Sequence, residues 1–382
     1  MPFASALSQH PVSAHATGEV TGAVLEALGE CPDLVVVTAT RAHAGALEDI
    51  VHTVATVLRP LVVIGCAAES VVGTGHEIEE APALSLWAAR VGPLVPVRLH
   101  AVRLADDSWH ISGWPELGGF EPRALLLMAD PFTFPADEFL GWLDGVRPGL
   151  PVIGGNVSGG RGPGGNRLVA GDAVVADGAV GVLLGPGVDV DAVVSQGGHA
   201  YGRPLTVTRA HRNVIYEVAG TPAMECLVEQ ITHGTRPADI AAIEANGLFV
   251  GRLVDERVAD PGPGDYLMRT VVGVDRAIGA VAVDDQVPVG STVRFHWRDA
   301  GTADRELSFL LSGRRAEAAL LFTCNGRGTR LFDRAHHDAA LLQRSLGPVP
   351  LSGFFAAGEI GPVGGANFVH SFTASLALFR ER

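Results

Sequence analysis

Three glycine-rich loops carry most of the side chains whose types suit ligand chemistry. Cys66 and Glu69 lie in the first, beside Gly65, Gly73 and Gly75. Asn156 and Ser158 lie in the second, among Gly154, Gly155, Gly159 and Gly160. Glu359 and Asn367 lie in the third, with Gly358, Gly361, Gly364 and Gly365. Cys324, Asn325 and Arg327 follow a further apolar run. Glycine lets backbone approach a ligand closely. It is also the default residue of a tight turn, so one such loop alone points only to a hairpin. Three loops at corresponding positions point to a shared pocket. An arginine fork and a carboxylate in one cavity suit a zwitterion, with Arg327 on the anionic group and Glu359 on the cationic one. Backbone amides around Gly358 would complete the cradle. An Arg327–Glu359 ion pair that closes the two loops explains the same residues equally well.

Cys324 or Cys66 with His43 or His370 could form a thiolate–imidazole pair for acyl transfer or hydrolysis. No cysteine-hydrolase signature accompanies either thiol, and free cysteine commonly fills a core. The four cysteines lie far apart with no CxxC pair, which argues against a disulfide framework and for a reducing, cytoplasmic setting. The 14 histidines show no metal-ligand spacing. Adjacent His336 and His337 read as an exposed helical surface, and the EIEE run Glu77 to Glu80 as a solvated turn. GGRGPGG lacks the following helix of a dinucleotide fingerprint. No metal and no cofactor is expected.

Composition narrows the chemistry further. The 382 residues carry 28 basic and 42 acidic side chains, a net charge of −14, and every basic one is arginine. Without lysine there is no Schiff-base chemistry and no Walker-A phosphate loop. The acidic balance argues against nucleic acid as a partner. No apolar run is long enough to span a membrane, and the first residues lack a basic, apolar leader, so neither membrane nor secretion is expected. Glycine (48 residues) is enriched and charged residues (18%) are sparse, which fits a large core, an oligomer interface, or both.

The elements that must position these loops recur along the chain. DLVVVTAT (Asp33 to Thr40) predicts a strand. A helix over about Gly45 to Leu58 follows, with Leu47, Ile50, Val51, Val54 and Leu58 on one face. A second strand, LVVIG, then leads into a glycine loop and the apolar stretch APALSLWAARV. ALLLMAD, a helix with Phe139, Leu140, Leu143 and Val146, PVIGG, a glycine loop and GAVGVLL repeat that order. The strand starts are 27 residues apart both times (Leu34 to Leu61, Ala124 to Pro151). A looser third copy runs from ALLFTCNGRG through a helix at about Ala335 to Leu346, PLSGF, a loop, and FVHSFTASLALF. In each, the two strands flanking the helix should be parallel and the third should return antiparallel. Between the second and third copies, Thr221 and Pro222 suit the start of a helix with Leu227, Val228 and Ile231. Strands separated by turns such as Asn246-Gly247 and PGPGD follow. The expected fold is α/β, with mixed sheets built from repeated β-α-β-β units in two related halves and a β-rich middle insertion.

DLVVVTAT, VVIGCAAES with GHEIE, VIGGNVSGG, GGHAYGRPLTVTRAHRN, GTPAMECL, FTCNGRG and FFAAGEIGP together resemble the FIST family over roughly residues 20–378. The resemblance implies a FIST N-like domain over 20–225, a FIST C-like domain over 226–378, and a sensory role in which a small ligand such as an amino acid is bound. Cys66, Glu77, Cys324, Gly326, Arg327, Gly358 and Glu359 fall on its motif positions, and it implies no catalytic residue. With no output domain attached, signalling would pass to a separate protein, and a homo-oligomer is left open. The expectation is a stand-alone sensory protein whose ligand site uses Arg327, Glu359, Asn325, Cys324, Cys66, Asn156, Ser158 and Gly358. The alternative is a cysteine-dependent hydrolase or acyltransferase using Cys324 or Cys66.

Overall fold

The computed structural model describes residues 2–234, 243, 247–262 and 264–382. Asn246 and Pro263, from two of the expected turns, lie outside them. The chain is mixed α/β and mostly sheet, and it forms two compact units. The first joins Met1–Val194 with Leu311–Arg382, and the second is Ser195–Leu310.

The first unit contains three mixed sheets, each built on a parallel pair. Leu34–Thr40 lies parallel to Val62–Ala68, Ala124–Ala129 to Val152–Asn156, and Ala318–Cys324 to Leu351–Ala356. Each first strand also takes an antiparallel neighbour on its other side: Leu84–Ala89, Ala179–Leu184 and Ala374–Glu381 respectively. All three pairs are almost wholly buried, which is why the sequence reads there as continuous apolar runs without alternation. Helices Leu47–Leu58, Ala136–Val146 and His337–Leu346 connect the pairs. The first begins later than its sequence pattern suggests, because Arg41–Ala46 winds into a 3-10 turn. Its buried face is Leu47, Ile50, Val51, Val54 and Leu58, the 3.6-residue stripe.

The glycine loops do more than turn the chain back. Each opens into a short hairpin that completes a different sheet. The hairpin Val71–Gly73/His76–Ile78 pairs with Leu351–Ala356. Leu168–Ala170/Ala173–Val175 pairs with Val62–Ala68. Glu359–Val363/Ala366–His370 pairs with Val152–Asn156. The loops must therefore pass one another at the strand ends. Close packing there requires glycine at Gly154 and Gly353, where a Cβ would lie 1.8 Å from the carbonyl oxygen of Leu127 or Leu321. Gly154→Ala should therefore force the parallel strands apart and destabilise the unit by about 1–3 kcal/mol, the usual range for overpacking. A denaturant titration checks this.

The second unit is a single antiparallel sheet around its own core. Gly198–His211 pairs with both Thr292–Arg298 and Val214–Val218, so the sheet closes on itself. Leu205, Val207, Ile215, Val250, Val281 and Phe295 fill it together with Leu227 of helix Ala223–Gly234. Thr221–Pro222, expected at the start of this helix, immediately precedes it and pairs as a two-residue strand with Val218 and Glu217. Among the described residues, no helix is long and apolar enough to cross a membrane.

Candidate functional site

Within the first unit, the crossing loops bring the chemistry-bearing residues to one end of the parallel strands. A cleft of about 570 Å³ opens there, lined by Thr40, Arg41, Ala42, Glu69, Glu80, Ala81, Pro82, Arg161 and Arg330. Arg41 immediately follows its strand, and Glu69 follows the parallel partner. Arg161 comes from the second glycine loop, and Arg330 from the 3-10 turn Gly328–Arg330 after the third sheet's first strand.

Glu69 organises the cleft. Its Oε2 accepts from Arg41 Nη2 at 3.2 Å, and its Oε1 from Arg330 Nη2 at 2.6 Å. Its backbone N–H donates to Ser158 Oγ at 2.9 Å. Arg41 also donates to the carbonyls of Gly159 (2.8 Å) and Ser158 (2.9 Å). Arg330 Nη1 donates to the Asn325 carbonyl at 3.0 Å, and its Nη2 to Glu80 Oε1 at 2.6 Å. Three loops are thus tied by charge-assisted hydrogen bonds around one opening. The lining holds three arginines and two glutamates, one more basic than acidic side chain on a strongly acidic chain, with the Glu79 carboxylate beside it on Thr329. Arg161 is exposed and has no ion-pair partner among the described residues.

Arg327, expected on the anionic group, is placed elsewhere. It is fully buried and makes a bidentate pair with Asp338, Nε to Oδ2 and Nη2 to Oδ1, both at 2.8 Å. Its guanidinium lies over the Phe332 ring, 5.3 Å from the centroid. The buried carboxylate that Arg327 pairs with bidentately is Asp338, where the sequence alone allows an Arg327–Glu359 pair. Glu359 is also fully buried and accepts the Thr373 N–H at 2.9 Å. Arg327 and Asp338 fasten the turn from which Arg330, one turn further along, reaches the cleft.

Cys324, Asn325, Asn156, Ser158, Gly358 and Glu359 do gather, where the strand Glu359–Val363 crosses to the second sheet. Asn156 N–H donates to the Gly358 carbonyl (2.7 Å), and Asn325 N–H to the Ala356 carbonyl (3.0 Å). Ser158 Oγ donates to the Phe355 carbonyl at 2.5 Å. The side-chain oxygens of Asn156 and Asn325 are buried with no hydrogen-bond partner among the described residues. A Cβ at Gly358 would come within 3.0 Å of the Asn156 amide nitrogen. Cys66 lies apart from this group, buried mid-strand between Thr38 and Leu168.

Both thiols are tuned away from nucleophilicity. Burial raises the Cys66 pKa, and burial followed by the Glu359 carboxylate pushes Cys324 up to about 12. The expected histidine partners are engaged elsewhere: His43 Nδ1 with Ser13 Oγ at 2.9 Å, and His370 Nε2 with the Gly361 carbonyl at 3.0 Å. Among the described residues, no group of three or more His, Cys, Asp or Glu side chains could hold a metal ion.

Two surface readings are corrected. The EIEE run is not a solvated turn, since each of its glutamates has a specific partner. Glu77 is buried and accepts the Ala339 N–H at 2.8 Å. Glu79 accepts from Thr329 N–H (3.0 Å) and Oγ1 (2.7 Å), and Glu80 reaches Arg330. His337 is buried, stacked on Phe332 and hydrogen-bonded to Asp338 at 2.9 Å.

The second unit has a smaller pocket of about 280 Å³, lined by Gln196, Tyr266, Met268 and His296 among others. Burial drives the His296 pKa down to about 3, so its ring is neutral.

Comparison with known proteins adds the family. The chain is 40% identical over 379 residues to an uncharacterized protein of Mycobacterium bovis, covering 97% of this chain and 96% of the relative. A Mycobacterium tuberculosis protein matches to the same extent. A second one, also uncharacterized, is 40% identical over 376 residues, covering 96% and 94%. Residues 33–221 match the FIST N domain and 223–362 the FIST C domain. The chain therefore belongs to the FIST family, whose domains are generally sensory, ligand-binding signalling modules.

Proposed function

We propose that the chain is a stand-alone cytoplasmic sensory protein that binds a small polar metabolite, of the amino-acid or small-carboxylate kind, in the arginine-lined cleft of the first unit. One observation carries this reading. Three separate loops deliver Arg41, Arg161 and Arg330 to one opening on a chain of net charge −14. Such a cleft concentrates small anions. Arg330 and Arg41 take the anionic group, with Arg161 closing from the glycine loop. Glu69 holds Arg41 and Arg330 in position, and the loops around Asn156, Ser158, Cys324, Asn325, Gly358 and Glu359 supply the polar bed behind it. Occupancy would pass to a separate signalling protein through the loops that the ligand ties together.

A thermal-shift screen of amino acids and small carboxylates on the wild type and on Arg330→Ala tests this. A ligand at about 100 times its Kd stabilises the wild type by about 2.7 kcal/mol. The shift should vanish in Arg330→Ala, and a hit that survives unchanged in that variant places the site elsewhere.

A further inference from the structure

We propose that Glu80 is a built-in competitor for the ligand, holding the place on Arg330 that an incoming carboxylate takes. This deepens the reading of the cleft as an anion site and rests on it. The two glutamates of the cleft differ in kind. Glu69 has a side chain only 16% exposed, is shared between Arg41 and Arg330, and is tied by its backbone to Ser158, so it belongs to the framework. Glu80 has a side chain 65% exposed, and among the described residues its ion pair is with Arg330, at 2.6 Å. Its backbone sits at φ +53°, in the left-handed region that a non-glycine residue adopts at a cost. Neighbouring contacts hold it there: its N–H donates to Ser70 Oγ at 3.2 Å, while Glu79 is fastened to Thr329. The segment thus presents the exposed Glu80 carboxylate to Arg330.

Exposed ion pairs of this kind are weak, so the contact can be exchanged. A ligand carboxylate offers Arg330 the same group and also meets Arg41 and Arg161 across the cleft. The ligand class that follows is a small carboxylate. Its binding would release the Glu80 side chain from Arg330, an observable change at the cleft mouth for a partner to read.

The test is titration calorimetry of the full chain with acetate, succinate and inorganic phosphate at fixed ionic strength, on the wild type, Glu80→Gln and Glu79→Gln. Each substitution removes one negative charge next to the cleft, but only Glu80→Gln removes a carboxylate bonded to Arg330, which keeps its pair with Glu69. Competition predicts carboxylate binding about two- to fivefold tighter in Glu80→Gln, with a clearly smaller gain in Glu79→Gln. Equal gains in both variants, or none in Glu80→Gln, overturn the competitor role and leave the anion site standing. Binding of phosphate but of neither carboxylate overturns the ligand class. No binding of any of the three to any of the proteins overturns the anion site together with the competitor.

Discussion

Asp338→Ala is expected to destabilise the first unit by about 3–5 kcal/mol, because it leaves the Arg327 guanidinium buried without its counter-charge. Arg327 and Asp338 are 0% and 1% exposed, and their two hydrogen bonds are both 2.8 Å long. Asp338 also accepts from Thr323 Oγ1 at 2.8 Å, so its loss disturbs the strand end as well as the turn. The contrast with Arg330→Ala sharpens the expectation. Arg330 is half exposed, and losing its pairs with Glu69 and Glu80 should cost only about 1 kcal/mol or less. Two arginines three residues apart should therefore separate cleanly in urea titrations. Asp338→Ala lowers the midpoint strongly, whereas Arg330→Ala leaves it nearly unchanged and removes ligand stabilisation. Comparable losses in both would contradict the division of labour between them.

Glu77 should make stability fall as pH rises from about 5 to 8. Burial, then the nearby Asp338 charge, raises its pKa from the ordinary 4.5 to about 8. A group raised in the folded state contributes fully below its unfolded pKa, and that contribution is lost as pH climbs through the folded one. In the interval the folded chain holds a proton that the unfolded chain has released, so stability declines by about 1.4 kcal/mol per pH unit from this group. Asp338 acts in the opposite sense. The Arg327 guanidinium beside it holds its carboxyl below the ordinary range despite burial, so its contribution is lost on acidification below about pH 4. Glu77→Gln keeps an acceptor for the Ala339 N–H and removes the charge. Denaturant titrations at pH 5, 6, 7 and 8 should show a flatter profile in the variant than in the wild type. Parallel profiles would mean that Glu77 is already ionised in the folded protein.

Much of the framework is legible in the residues because it is local. The face Leu47, Ile50, Val51, Val54 and Leu58 identifies its helix. The buried runs at Leu34–Thr40, Ala124–Ala129 and Ala318–Cys324 identify strands covered on both sides. The glycine loops were recognisable as a meeting place. Their hairpin exchange was not, because nothing local says which sheet a three-residue strand will join. The same limit hides the choice of arginine. A chain without lysine points to arginine for any fixed cation, and Arg327 lies in the more distinctive motif. Its partner Asp338 becomes visible only when the helix His337–Leu346 folds back on the turn. Arg41 and Arg330 lack an obvious motif, and Glu79 and Glu80 meet partners 250 residues away. Charge runs are usually solvated, and this one is an exception made by tertiary contact.

The most direct measurement is a crystal structure with the strongest carboxylate or amino-acid ligand from the thermal-shift screen. Its anionic group should lie between Arg41, Arg161 and Arg330, with Glu80 displaced from Arg330. An anionic group found instead in the Gln196–His296 pocket of the second unit, with the cleft arginines untouched, would contradict the assignment of the site.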